Sequence, residues 1–207
     1  MSNIIEIMKN GGFFMYPLFF CGILSIALII DKILLHKRLA KIPKNLFNQI
    51  ESEEFSWKKI EQELQKIISE NFYKNFINLL FQNKLKPIWW IESRANDEAK
   101  IIEKSISSGM WILETIVTVA PLLGLLGTIF GMMDSFKLIG DDSLINPTGV
   151  TAGVAESLIA TAFGLIVAVI SLFAYNYFSR KQDQILDDLE RLVTKIVDQI
   201  KLESGEK

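Results

Sequence analysis

Three residues carry the chemistry that can be read from this chain: Thr128, Thr161 and Glu156, set in two long apolar segments. Hydrocarbon disfavours a free carboxylate and unpaired hydroxyls, so polar groups at that depth are candidates for carrying an ion. The first segment reads Pro-Leu-Leu-Gly-Leu-Leu-Gly-Thr-Ile-Phe-Gly-Met (121–132), the second Gly-Val-Ala-Glu-Ser-Leu-Ile-Ala-Thr-Ala-Phe-Gly-Leu (153–165). At helical periodicity Gly124, Gly127, Thr128, Gly131 and Ser135 share one face. Glu156, Ser157, Ala160, Thr161, Gly164, Ala168 and Ser171 share a face of the second segment, with bulky apolar residues elsewhere. Counted from Met133 and Glu156 as outer limits, each threonine lies ~8 Å deep at helical rise, so the two hydroxyls are level.

Two readings of these stripes stay open on spacing alone. Small residues let two helices pack closely, and threonines often bond their own backbone. The same face also suits the wall of a narrow polar passage. Glu156 tilts the balance toward a passage, because an ionised carboxylate near hydrocarbon needs water or a partner; the plainer alternative is an interfacial residue bonded to a neighbouring helix. Glu114 and Asp31, near the inner limits, read as ordinary interface charges, and His36 as solvent-exposed.

Other chemistries find no support. One His and one Cys make no metal constellation. No nucleophile–base pair, phosphate loop or dinucleotide fingerprint is visible, so an enzyme is not expected, with no catalytic residues, no metal and no cofactor. A net charge of −2 without a basic, aromatic-rich run argues against nucleic acid. Cys21 rules out an intrachain disulfide. The first apolar run lacks a small-residue cleavage site and is expected to remain as an anchor.

The elements holding these residues follow from composition. Half of the 207 residues are apolar and 22% are charged, and the two kinds are segregated. Residues 13–30, 115–133 and 157–178 carry no charge, and each can cross roughly 30 Å of hydrocarbon as a helix. Lys32, Lys37, Arg38, Lys41 and Lys44 follow the first run and Arg180 and Lys181 the third, whereas 134–146 holds three acids against one lysine. Basic residues mark the cytoplasmic side, so the N-terminus is expected outside and the C-terminus inside. The expected organisation is a short outer segment (1–12), a first span (13–35), a cytoplasmic helical region (36–109), a second span (110–133), an outer loop (134–146), a third span (147–178) and a cytoplasmic helix (179–207). Asn146-Pro147 looks like a helix cap and first-turn proline. Ile185, Leu189, Leu192 and Ile196, and likewise Ala95, Ala99, Ile102 and Ile106, keep 4-3-4 spacing. With no evident breaker between them and the spans, the second and third spans are expected to continue as long helices. The fold class is therefore an all-α membrane protein with three transmembrane helices, the second and third extended into a cytoplasmic bundle.

At the blocks 121–132 and 153–165, closing on Tyr175-Asn176, the chain resembles the ExbB/TolQ/MotA proton-channel family. Three spans rather than four point to its ExbB/TolQ branch. The resemblance implies a multi-pass protein of the bacterial inner membrane that couples proton-motive force to mechanical work on envelope or transport machinery. It implies a homo-oligomer, a pentamer in most members, around an ExbD- or TolR-like single-span partner whose transmembrane aspartate carries the proton. A TonB- or TolA-like energy-transducing protein is a further implied partner. Thr128 and Thr161 correspond to the family's pore-facing threonines and Glu156 to its third-span glutamate. Protons are the implied coupling ion, with sodium left open. A structural scaffold and a stand-alone ion channel or transporter are the alternatives that spacing permits.

Overall fold

The computed structural model describes residues 12–40, 44–51, 55–66, 71–137 and 147–204. Among them the chain forms helices α1 (Met15–Leu39), α2 (Lys44–Glu51), α3 (Trp57–Lys66), α4 (Phe72–Gln82), α5 (Ile88–Ser107), α6 (Met110–Lys137) and α7 (Pro147–Ser204), with no strand. Segments of Met15–Leu39, Ile88–Phe136 and Gly153–Glu203 are long and apolar enough to cross a membrane. The three expected spans are thus α1, α6 and the first part of α7. Helix α7 starts at Pro147, as a first-turn proline favours; Asn146 lies outside the described residues, as do 138–145 of the expected outer loop. Residues Asp134–Lys137 of that loop still belong to α6.

The expected unbroken helix leading into the second span needs one correction. The chain turns at Ser108–Gly109, between α5 and α6, where Gly109 has φ 76°. That left-handed conformation is cheap for glycine and ends helices readily. The signal was the Ser107-Ser108-Gly109 triplet, masked by the apolar periodicity on both sides.

The described residues form two compact units, the first drawn from Met1–Ile30 and Gly109–Tyr177, the second from Asp31–Ser108 and Phe178–Lys207. The core of the first joins Leu18 of α1 to Ile116 and Ala120 of α6 and to Ala160, Val167 and Ala168 of α7. A buried hydrogen bond of 2.7 Å links Ser25 and Ser171. Ser171 donates its own proton to the Val167 carbonyl, so Ser25 is the donor between them. Ring contacts Phe14–Phe130 and Phe19–Phe163 add to this α1 packing.

The second unit buries the residues that the 4-3-4 spacing selects. Ala95, Ile102 and Ile106 of α5 meet Ile185, Leu189, Leu192 and Ile196 of α7, together with Ile60, Leu64, Phe76 and Leu80. Asn71 caps α4 by accepting from the Tyr73 amide at 2.9 Å. Tyr73 in turn donates its hydroxyl to Asp188 at 3.0 Å. Burial first, then the Asp188 carboxylate, push the Tyr73 phenol well above its ordinary range. Lys32 is fully buried and donates to the Ile106 carbonyl at 2.7 Å, a cation on the last turn of α5 where the helix dipole favours one. His36 is not solvent-exposed as expected. Its Nδ1 lies 2.9 Å from the Lys32 carbonyl and its ring packs on Phe178. A helical i,i+4 carbonyl and a neighbouring aromatic together hold it half-buried.

Candidate functional site

The candidate residues converge on the seam between α6 and α7. Backbones approach so closely there that a Cβ on Gly124 would sit 2.9 Å from Thr161 Cα, and one on Gly131 2.6 Å from Ser157 Cβ. A Cβ on Gly127 would meet Ala160 Cβ at 2.9 Å, and one on Gly164 the Ala120 carbonyl at 2.6 Å. Such contacts leave no room for a side chain, so the small residues are required by steric fit. Ser135 and Ser157 are buried and donate to the Gly131 and Val154 carbonyls of their own helices, each at 2.8 Å. Ala160 is buried in the seam, and Ala168 farther along α7 packs in the same core.

The threonines do more than fill the stripe. Thr128 donates to the Leu125 carbonyl at 2.7 Å within α6, and Thr161 donates across the seam to the Gly124 carbonyl at 2.7 Å. Each hydroxyl has spent its only proton on the backbone, so each oxygen retains acceptor capacity alone. Their position on the seam matters as much. Helix α1 packs on one flank, through Gly22 against Val167, Leu18 near Gly164 and Ser25 against Ser171, with Phe14 just before it near Gly127. On helical wheels Thr128 and Thr161 fall at the opposite edge of the packed faces, roughly 100° and 80° from the α1-facing Gly127 and Ser171 respectively. On that second flank Leu125, Leu165 and Leu172 are exposed. Thr161 is half-buried and Thr128 buried, both on the edge of the seam away from α1. Glu156 lies on α7, but its side chain is outside the described residues.

Ser25 was not anticipated, although a hydroxyl in an uncharged run was the available signal; its partner Ser171 belonged to the small-residue face. Lys32 read as one member of a basic cluster, and nothing local distinguishes it from Lys37 or Arg38. Among the described residues no group of His, Cys, Asp and Glu is arranged to hold a metal.

Residues 45–191 match the profile described as the MotA/TolQ/ExbB proton channel family. The chain belongs to that family. The match includes 45–120, which the motif blocks alone did not cover. Among similar curated proteins is the biopolymer transport protein ExbB of Aquifex aeolicus (strain VF5), 38% identical over 91 residues, covering 44% of this chain and 62% of that protein. A putative ExbB homolog of Methanothermobacter thermautotrophicus is 26% identical over 193 residues, 91% of this chain and 67% of its own length. The Tol-Pal system protein TolQ of Pseudomonas aeruginosa is 34% identical over 84 residues, 41% of this chain and 36% of that one. The matches thus span about two thirds of these relatives or less. In fold, the chain is similar to the flagellar MotAB stator complex of Bacillus subtilis, with a TM-score of 0.55 over 87% of this chain and 77% of that one, at 18% identity.

Proposed function

We propose that this chain is the channel-forming subunit of a proton-driven motor in the bacterial inner membrane. In this reading several copies surround the single spans of an ExbD- or TolR-like partner carrying a membrane-embedded aspartate, with the N-terminus of each copy outside and its C-terminus cytoplasmic. Work is delivered through that partner to envelope or transport machinery. The chain acts by conducting and positioning, without enzymatic chemistry.

One observation carries the reading: both threonines lie on the edge of the α6–α7 seam away from α1, Thr128 buried and Thr161 half-buried, their protons committed to backbone carbonyls. An oxygen that can only accept favours a neighbour that donates, namely a protonated carboxyl or a water. A partner carboxylate reaching that level would be held better when protonated than when charged. This is the differential that a proton-coupled cycle needs. One charge moved through 100 mV supplies about 2.3 kcal/mol, so substantial work requires several protons.

The test is proton flux in vesicles containing the chain with its co-purified partner. Thr161→Val, which keeps shape and removes the hydroxyl, is expected to lower voltage-driven flux at least tenfold while the complex still assembles. Undiminished flux would remove the hydroxyl from the mechanism. The glycine contacts favour a second reading, a scaffold whose stripes only pack helices. A scaffold predicts that Thr128→Ala and Thr161→Ala, which keep the face small, leave energised activity intact. A stand-alone channel predicts conductance without any partner.

A further inference from the structure

The two threonines account for the middle of a path and leave its inner end unassigned. The same edge of α6 continues inward. On the helical wheel Glu114, Thr118, Pro121, Leu125 and Thr128 fall within ~80° of one another, so they form one strip along α6. Glu114, Thr118 and Leu125 are exposed and Pro121 is half-buried. The strip lies on the flank of the seam that α1 leaves open.

Its polar groups form two levels inward of the threonine pair, at 117–118 and, one helical turn farther, at Glu114. Thr161 is tied to Gly124, which sets the level of the threonine pair. Pro121, inside α6, has no N–H to give the Val117 carbonyl, so that oxygen lacks its usual helical donor and is available to water. Thr118 donates to the Thr115 carbonyl at 2.9 Å, leaving its oxygen as an acceptor like the other two threonines. Glu114 closes the series at the inner end. From the Gly124 level, Thr118 and Val117 lie ~9–10 Å inward and Glu114 ~15 Å, at 1.5 Å per residue. Oxygens in a hydrogen-bonded file are about 2.8 Å apart, so two or three waters bridge the first gap and one or two the second.

We infer that Glu114 is the inner proton-release group of this chain, fed along a water-bridged strip formed by the Val117 carbonyl and Thr118. The inference rests on the proton-conducting reading above. In the proposed step a hydronium arriving at the Thr118 level transfers its proton to the Glu114 carboxylate, leaving water and a neutral carboxylic acid. That acid then passes the proton to water on the cytoplasmic side and returns to the carboxylate. An ordinary boundary charge, as Glu114 read from its position alone, needs no threonine one turn away and no proline between it and the channel residues.

The experiment measures voltage-driven proton flux in vesicles holding the chain with its co-purified partner, using an internal pH-sensitive dye and protein-free vesicles as the leak control. Thr161→Val serves as the yardstick, and complex mass confirms assembly of every variant. Glu114→Gln is expected to lower flux at least fivefold and Thr118→Val about threefold, whereas Glu114→Asp keeps at least half. Millimolar azide or formate should restore flux to Glu114→Gln, because a small weak acid can stand in for a missing proton carrier but not for a missing structural contact. Normal flux in Glu114→Gln beside a defective Thr161→Val overturns this assignment and leaves the proposed function standing. A Glu114→Gln defect that neither azide nor formate repairs overturns it as well, as a structural effect. Absence of flux from the unaltered complex removes the proton-conducting reading and this inference with it.

Discussion

Thr161 is the residue on which packing and chemistry meet. Its hydroxyl bonds a carbonyl of another helix, at a point where Gly124 permits backbone contact. Losing such a bond inside a membrane costs roughly 0.6–1.7 kcal/mol. Thr161→Val should therefore lower the unfolding free energy by about 1 kcal/mol, too little to unfold the chain and so no account of a tenfold loss of flux. Thermal unfolding in detergent set beside the flux assay would separate the two. Gly124→Ala should behave oppositely. Its Cβ would press on Thr161 Cα at 2.9 Å, backbone that cannot swing away. A cost of about 1–3 kcal/mol is expected from overpacking, seen as lower yield and thermal midpoint before any change specific to proton transfer.

Among the elements, α4 and the end of α7 are linked by a polar contact with a pH signature. Tyr73 donates to Asp188 from a buried position, and its phenol is held above its ordinary range. A group whose pKa is raised on folding stabilises fully below its unfolded value, about 10 for tyrosine, and that stability drains away as pH rises beyond it. Chemical unfolding followed by circular dichroism between pH 8 and 11 should show stability falling at the alkaline end. Tyr73→Phe should cost about 1 kcal/mol at pH 8 and flatten that alkaline decline. At the turn between α5 and α6, Gly109→Ala should destabilise by about 1 kcal/mol. Two causes add: the positive φ of 76° and a new Cβ 3.1 Å from Leu28 Cδ2. Thermal unfolding reads this too, with Gly109→Asn less affected because asparagine tolerates the left-handed region.

For the whole molecule, the large apolar residues left exposed set the expectation. Leu122, Leu125 and Ile129 of α6 and Leu165, Ile166 and Phe173 of α7 are all open in the single chain. Apolar surface of that extent must be covered by lipid or by other subunits. A complex of several copies is expected, and native mass measurement after mild extraction together with the partner should show it; a monomer would contradict the ring. Reporter fusions should place the C-terminus in the cytoplasm, as the lysines and arginines after α1 and around 180–181 imply.

Much of this architecture is legible in the sequence because the bilayer acts as a strong, local filter. Any uncharged run near 20 residues must become a helix that satisfies its own backbone. That is why the runs 13–30, 115–133 and 157–178 found their helices, and why the glycines of 124–131 announced a close neighbour. Helix α5 and the C-terminal part of α7 were legible for a related reason, since apolar residues at 4-3-4 spacing leave one face to bury. The turn at Gly109 was hidden because apolar periodicity on each side outweighed a single glycine. Which flank of the seam α1 would cover could not be read at all. It depends on fits between distant residues, such as Ser25 with Ser171 and Gly22 with Val167. That choice left Thr128, Thr161 and Glu114 on the open flank. Spacing along a helix states which residues share a face, but what a face meets is settled by the free energy of packing whole helices together, to which residues far apart in the chain contribute at once.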